Sequence, residues 1–139
     1  MTFSNYALSA LNKLMFGQTA FTPPATIYVG LSGTPPNADG TNVTEPPASA
    51  GYGRVAVSND TSHFHSAPIQ PATGQRQSNT LAITFPQATL DWGAVSYVVL
   101  YDAPTGGNFL GFGQLGGAQN VVGGDTFVFT ADSLTETLQ

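Results

Sequence analysis

The sequence predicts an all-β fold, a β-sandwich or jelly roll of eight or nine antiparallel strands with one short N-terminal α-helix. Three observations lead there. Short segments of alternating apolar and polar residues recur along the chain, glycine and proline turns separate them (16 Gly and 10 Pro in 139 residues), and helical periodicity is confined to one stretch near the N-terminus. No internal repeat is visible, which argues against propellers and solenoids. The length suits one domain, residues 1–139, burying about 68% of the surface its unfolded chain exposes.

Residues 1–22 form the predicted helix and arm. Ser4 is placed to cap the first amides, Phe3 to pack on Leu8, and Gly17 to end the helix. Leu8, Leu11 and Met15 recur at helical spacing, with Ala7 and Leu14 on the adjoining strip. After Thr22-Pro23-Pro24, Ile27, Val29 and Leu31 alternate with Tyr28 and Gly30 as a strand. Residues 33–51, with Pro35, Pro36, Pro46 and Pro47 among small polar residues, form a long loop. Strand character resumes at Tyr52–Val57 and continues at Ser62–Ser66 past an Asn59-Asp60 turn, and Pro68–Asn79 reads as a second loop.

Leu81, Ile83 and Phe85 form the next alternating strand, and Leu90 and Trp92 point one way in the one after it. Val95 to Asp102 is the strongest segment. Val95, Tyr97, Val99 and Tyr101 share one face and Val98 and Leu100 the other, so neither face is polar and the strand belongs mid-sheet. Gly106-Gly107 supplies the positive φ of a hairpin that returns through Phe109, Leu110, Phe112 and Leu115. Thr126–Thr130, with Phe127 and Phe129 opposing Val128, and Leu134–Leu138 complete the sheet. The expected core is Leu81, Ile83, Phe85, Trp92, Val98, Leu100, Leu110 and Phe127.

Composition narrows the function. The absence of cysteine removes disulfides, thiolate metal sites and cysteine nucleophiles. Lys13, Arg54 and Arg76 are the only basic side chains against eight acidic ones, a net charge of −5, too little positive charge to neutralise several phosphates of a nucleic acid. Charged residues make up 8% of the chain against about 25% in ordinary soluble domains, so its surface loses little solvation when covered. No run reaches the ~18 apolar residues of a membrane span. The N-terminus lacks the pattern of a signal peptide, so synthesis without export by that route is expected.

The sequence offers little chemistry. His63 and His65 would share one face of a strand as a metal pair, with Asp60 or Asp39 to complete it, but surface hydrogen bonding is the simpler role. A Ser62 or Ser66 triad with these histidines has no nucleophile elbow to support it. The carboxylates Asp39, Glu45, Asp60, Asp91, Asp102, Asp125, Asp132 and Glu136 are scattered, mostly at turns, without the pairing a glycosidase needs. The glycine pairs lack the lysine and helix of a phosphate loop. Trp92 and the tyrosines can stack on sugars, although a lone Trp in an alternating strand is more often core. No catalytic residue, metal site or cofactor is expected.

The order of segments resembles a group of small tailed-bacteriophage structural proteins. The likeness rests on Ser4-Asn5-Tyr6 through Leu14-Met15-Phe16-Gly17, Pro24-Ala25-Thr26-Ile27-Tyr28-Val29-Gly30-Leu31-Ser32, Gly51-Tyr52-Gly53-Arg54-Val55 and Ile83-Thr84-Phe85-Pro86. It continues through Trp92-Gly93, Asp102-Ala103, Gly107-Asn108-Phe109-Leu110 and Gly124-Asp125-Thr126 with the final strand, covering nearly the whole chain. Members are labelled tail-fibre-like or are similar to jelly-roll cement proteins that decorate capsids. The latter implies a homo-dimer or homo-trimer on the capsid exterior that clamps neighbouring major capsid proteins, made in the bacterial host cytoplasm, with no nucleic-acid or membrane partner. A short chain without coiled coil or fibrous repeat favours cement over a complete fibre. A tail or baseplate component with a glycan-binding tip is the alternative, and a histidine hydrolase comes third. The expected contact residues are Tyr6, Leu14, Phe16, Pro35, Pro36, Pro46, Pro47 and Tyr52.

Overall fold

The structure, a computed structural model, describes residues 1–66 and 75–138. Along the chain run β1 (Thr2–Phe3), α1 (Asn5–Met15), β2 (Thr26–Ser32), β3 (Val55–Ser58), β4 (Phe64–Ser66), β5 (Gln75–Asn79) and β6 (Ile83–Thr84). They are followed by β7 (Gly93–Tyr101), β8 (Phe109–Val121), β9 (Val128–Phe129) and β10 (Thr135–Leu138). All strand pairings are antiparallel, in a five-stranded sheet β1-β8-β7-β2-β3, a three-stranded sheet β10-β5-β4 and the pair β6-β9. The architecture is all-β with one short helix, as the sequence indicates.

The apolar strand read as central is central. β7 lies between β8 and β2, joined to β8 by a hairpin whose Gly106 and Gly107 have φ of 60° and 77°. One face of the large sheet carries Val29, Leu31, Val57, Val98 and Val95, packed against Ile83, Phe85, Trp92, Phe129 and Leu134 from the rest of the chain. The other carries Val99, Tyr101 and Phe109, with Tyr28, Phe112 and Val43 against them. Val95 corrects the simple alternation. The register breaks between Val95 and Tyr97, so Val95 joins Val98 instead of Val99 and Tyr101.

Among the expected core residues, Ile83, Phe85, Trp92 and Val98 are buried. Leu100 and Phe127 are half-buried against the same cluster, and Leu110 faces a cavity beneath α1. Leu81 is 56% exposed, because the strand begins only at Ile83; the turn before it is organised by buried Asn79, whose Nδ2 donates to Leu81 O at 2.8 Å. Leu90 also lies in an exposed bend and does not share the direction of Trp92.

The second expected loop is partly sheet. Residues 67–74 lie outside the described residues, but Gln75–Asn79 forms β5, between β4 and β10. Its sequence Gln-Arg-Gln-Ser-Asn has no apolar alternation, and the strand is held by backbone pairing on both sides. For the same reason β4 does not extend the sheet of β3.

Residues 33–51 fold back over the second face of the large sheet. Gly33 N donates to Thr44 O at 2.9 Å, Asn5 N to Ala38 O at 2.8 Å, and Trp92 Nε1 to Ala50 O at 2.9 Å, which binds the loop to the helix and to the core. The loop contributes Val43 to the second apolar cluster, so this Pro-rich stretch takes part in the core it was read as too polar to form.

Candidate interaction surface

The histidines test the chemical readings directly. His63 sits in the turn before β4 and its Nδ1 lies 2.7 Å from Asp60 Oδ1, an i,i+3 contact. The hydrogen bond from His63, joined by backbone amides of Ser62 and His63, holds the Asp60 carboxyl below the usual carboxylate range. His65 turns elsewhere, with Nδ1 3.1 Å from Thr80 Oγ1 and Nε2 2.9 Å from Asp132 Oδ1. The two imidazoles thus have different carboxylate partners, and no group of three or more metal-ligating side chains converges among the described residues. Asp39 is a turn residue, accepting from the Thr41 amide at 2.9 Å and its hydroxyl at 2.6 Å.

A serine does meet His65 and Asp132, but it is Ser78 on β5 and neither Ser62 nor Ser66. Ser78 Oγ donates to Asp132 Oδ1 at 2.9 Å and lies 3.3 Å from His65 Nε2. The carboxylate therefore holds the same ring nitrogen that a nucleophile's base must present, whereas a triad needs it on the opposite nitrogen. Ser78 is also 3% exposed, out of reach of a substrate. The cluster ties β4, β5 and the turn before β10 together.

Glu45 and Arg54 form a half-buried ion pair, the one Arg–carboxylate pair among the described residues. Arg54 Nε and Nη2 donate to the two Glu45 oxygens at 2.9 and 2.7 Å, and Nη1 donates to Ala103 O and Gly106 O in the β7–β8 hairpin, both at 2.9 Å. The guanidinium lies 3.5 Å from the centre of the Tyr101 ring. Tyr52 completes the group, donating to Glu45 Oε1 at 2.6 Å and accepting from Leu31 N at 2.9 Å. Burial, reinforced by the Glu45 carboxylate, pushes the Tyr52 phenol well above its usual range. Four hydrogen bonds from the guanidinium are made within the chain, so the group fastens the 33–51 loop to the hairpin.

These positions sort the expected contact residues. Tyr52 belongs to that internal network and meets the Trp92 ring edge to face with centroids 5.3 Å apart, and Pro36 and Pro46 are buried. Pro35, Pro47, Tyr6, Leu14 and Phe16 are exposed. Trp92 is 8% exposed with its Nε1 satisfied, so it cannot stack on a sugar.

The exposed apolar surface concentrates on α1. Ser4 caps the helix, its Oγ accepting from Ala7 N at 3.1 Å and donating to Phe109 O, and Gly17 with φ 66° ends it. The inward edge runs through Ala7 and Leu11, one turn apart, which with Phe3 line a cavity of about 370 Å³. Leu8 and Met15, which recur with Leu11 at helical spacing, point out, and Phe3 sits by Ala7 and Leu11 where a staple to Leu8 was expected. Tyr6, Leu8, Leu14, Met15 (79%) and Phe16 (71%) are all exposed. A signal for this was present in the sequence, since three consecutive apolar residues, Leu14-Met15-Phe16, span about 200° of a helix and cannot all face one core.

A family model described as Podophage GP4 fiber I protein gp80 matches residues 2–137. No curated protein matches the chain. No helix is long and apolar enough to cross a membrane among the described residues.

Proposed function

The chain belongs to the podophage GP4 fiber I protein gp80 family, phage virion structural proteins, and from this we propose that it is a fibre component that acts by binding alone, docking to its virion partner through α1. The observation that carries this reading is the group of exposed apolar side chains Tyr6, Leu8, Leu14, Met15 and Phe16, the last three together at the C-terminal end of a helix capped at both ends and anchored to the sheet through Ser4. Such side chains lose hydration when covered, at roughly 25 cal/mol per Å² of apolar area. The polar clusters described above are internal fasteners, which agrees with a role that has no reactive centre.

Head cement is the second reading. It is favoured by the body itself, in which apolar clusters pack on both faces of the large sheet. Stoichiometry separates the two: a fibre occurs at a few to tens of copies per particle, cement at hundreds in step with the major capsid protein. The docking role predicts that Leu14→Ser with Phe16→Ser abolishes incorporation into particles while the purified protein melts within about 2 °C of the parent, because both side chains are already in water. Normal incorporation of that variant would overturn it.

A further inference from the structure

α1 leaves one end of the molecule apolar, and a second exposed apolar spot lies at the other end. Leu90 is 61% and Val122 39% exposed. They are neighbours, because residues 89–92 run beside 121–124: Trp92 N donates to Val121 O at 2.8 Å, Gly123 N donates to Asp91 Oδ1 at 2.9 Å, and a Cβ on Gly123 would stand 3.4 Å from Leu90 Cα. Asp91 and Asp125 flank the pair, both exposed, with Asp125 Oδ2 accepting from Val122 N at 3.1 Å. The helix end is the counterpart. There Leu14, Met15 and Phe16 follow Lys13, the only charged residue of α1.

The sheet register fixes where these two spots lie. Val121 pairs with Gly93 at the start of β7, whereas Phe112 and Gly111, which carry β1, pair with Val99 and Leu100 near its end. Six residues separate Gly93 from Val99, a strand length of about 20 Å. α1 is rooted at that far end on both sides. Ser4 N donates to Leu110 O at 3.0 Å, and the chain after the helix re-enters the sheet at Thr26, two residues before the Tyr28–Tyr101 pair. One end of the large sheet therefore presents apolar side chains beside a cation, and the opposite end apolar side chains beside two carboxylates.

We infer that these two ends bind each other between copies of this chain, α1 of one protomer seating on the Leu90–Val122 end of the next. This rests on the docking role of α1 and names its partner. The contact is heterologous: each copy uses two different surfaces, so a bound copy still offers a free end, and the copies extend into a row or close into a ring. Apolar burial supplies the strength of the contact. Lys13 facing Asp91 and Asp125 selects which ends meet, because pairing like ends would bring lysine to lysine or carboxylates to carboxylates.

The test follows the mass of the purified full chain by sedimentation over a range of concentrations, and the mass should rise past that of a dimer. Leu14→Ser with Phe16→Ser removes one surface and Leu90→Ser with Val122→Ser the other; these side chains are already exposed, so both proteins should melt as the parent does. Each variant alone should be monomeric, and their equimolar mixture should form a dimer and nothing larger, since each supplies the surface that the other lacks. Lys13→Glu should weaken association severalfold. A parent that stays monomeric or stops at a dimer, a mixture that does not pair, a double variant that assembles alone, or unchanged association of Lys13→Glu would each overturn the inference. A monomeric parent combined with loss of the Leu14→Ser, Phe16→Ser chain from particles would leave the docking role standing with another virion protein as partner, whereas normal incorporation of that variant would remove the docking role itself.

Discussion

Tyr52, Glu45 and Arg54 show how single side chains carry the loop. Gly30 makes room for them: a Cβ there would stand 2.8 Å from both Glu45 Oε1 and the Tyr52 hydroxyl. With its folded-state pKa raised by burial and by Glu45, Tyr52 keeps its proton after the unfolded chain, near pH 10, has lost it. Tyr101 shifts in the same direction, chiefly through burial. The folded state then binds more protons, so stability is complete below about pH 10 and falls as pH rises beyond it, by up to about 1.4 kcal/mol per pH unit for Tyr52, with Tyr101 acting in the same direction. Urea unfolding between pH 9 and 11.5 should show this decline, shallower in Tyr52→Phe; equal slopes in the two proteins would contradict the placement of Tyr52. The residues of this network are visible in the sequence as Gly51-Tyr52-Gly53-Arg54, but their partner Glu45 lies in a polar loop where no periodicity points to it.

Among elements, the N-terminal strand and helix depend on β8. Thr2 and Phe3 pair with Phe112 and Gly111, and a Cβ at Gly111 would stand 2.8 Å from Thr2 O. Gly111→Ala should therefore release β1, tilt α1 away from the sheet and cost about 1–3 kcal/mol. Hydrogen exchange should show lost protection at Ser4 and Asn5, whose amides donate to Leu110 O and Ala38 O, with the β2–β7 ladder unaffected. Retained protection at Ser4 would show that the helix stays docked without β1. Cap and terminator of this helix were legible because capping is local chemistry, read from Ser4 and Gly17 alone. The inward face was not, because Leu8, Leu11 and Met15 fit helical spacing as well as Ala7 and Leu11 do, and the sheet surface beneath α1 selects between them.

For the whole molecule, charge is scarce and the proposed docking face carries only Lys13 near its C-terminal end. Attachment through such a face rests on apolar burial. Particles washed in 1 M NaCl, where the screening length is about 3 Å, should keep the protein within twofold of its level in dilute buffer. Release by salt would mean that charges hold it in place.

Composition and residue order established an all-β chain with one capped helix, a central β7–β8 hairpin and no motif for catalysis. These follow from alternation, turn chemistry and residue counts, which act over a few neighbouring positions. Long-range packing settled the rest. The register break that moves Val95, the pairing that makes a strand of Gln75–Asn79, the meeting of Ser78, His65 and Asp132, and the placing of Leu90 beside Val122 all join residues whose local sequences are silent about one another. Backbone hydrogen bonds and shared burial between distant segments create those relations, and they exist once the chain has closed on itself.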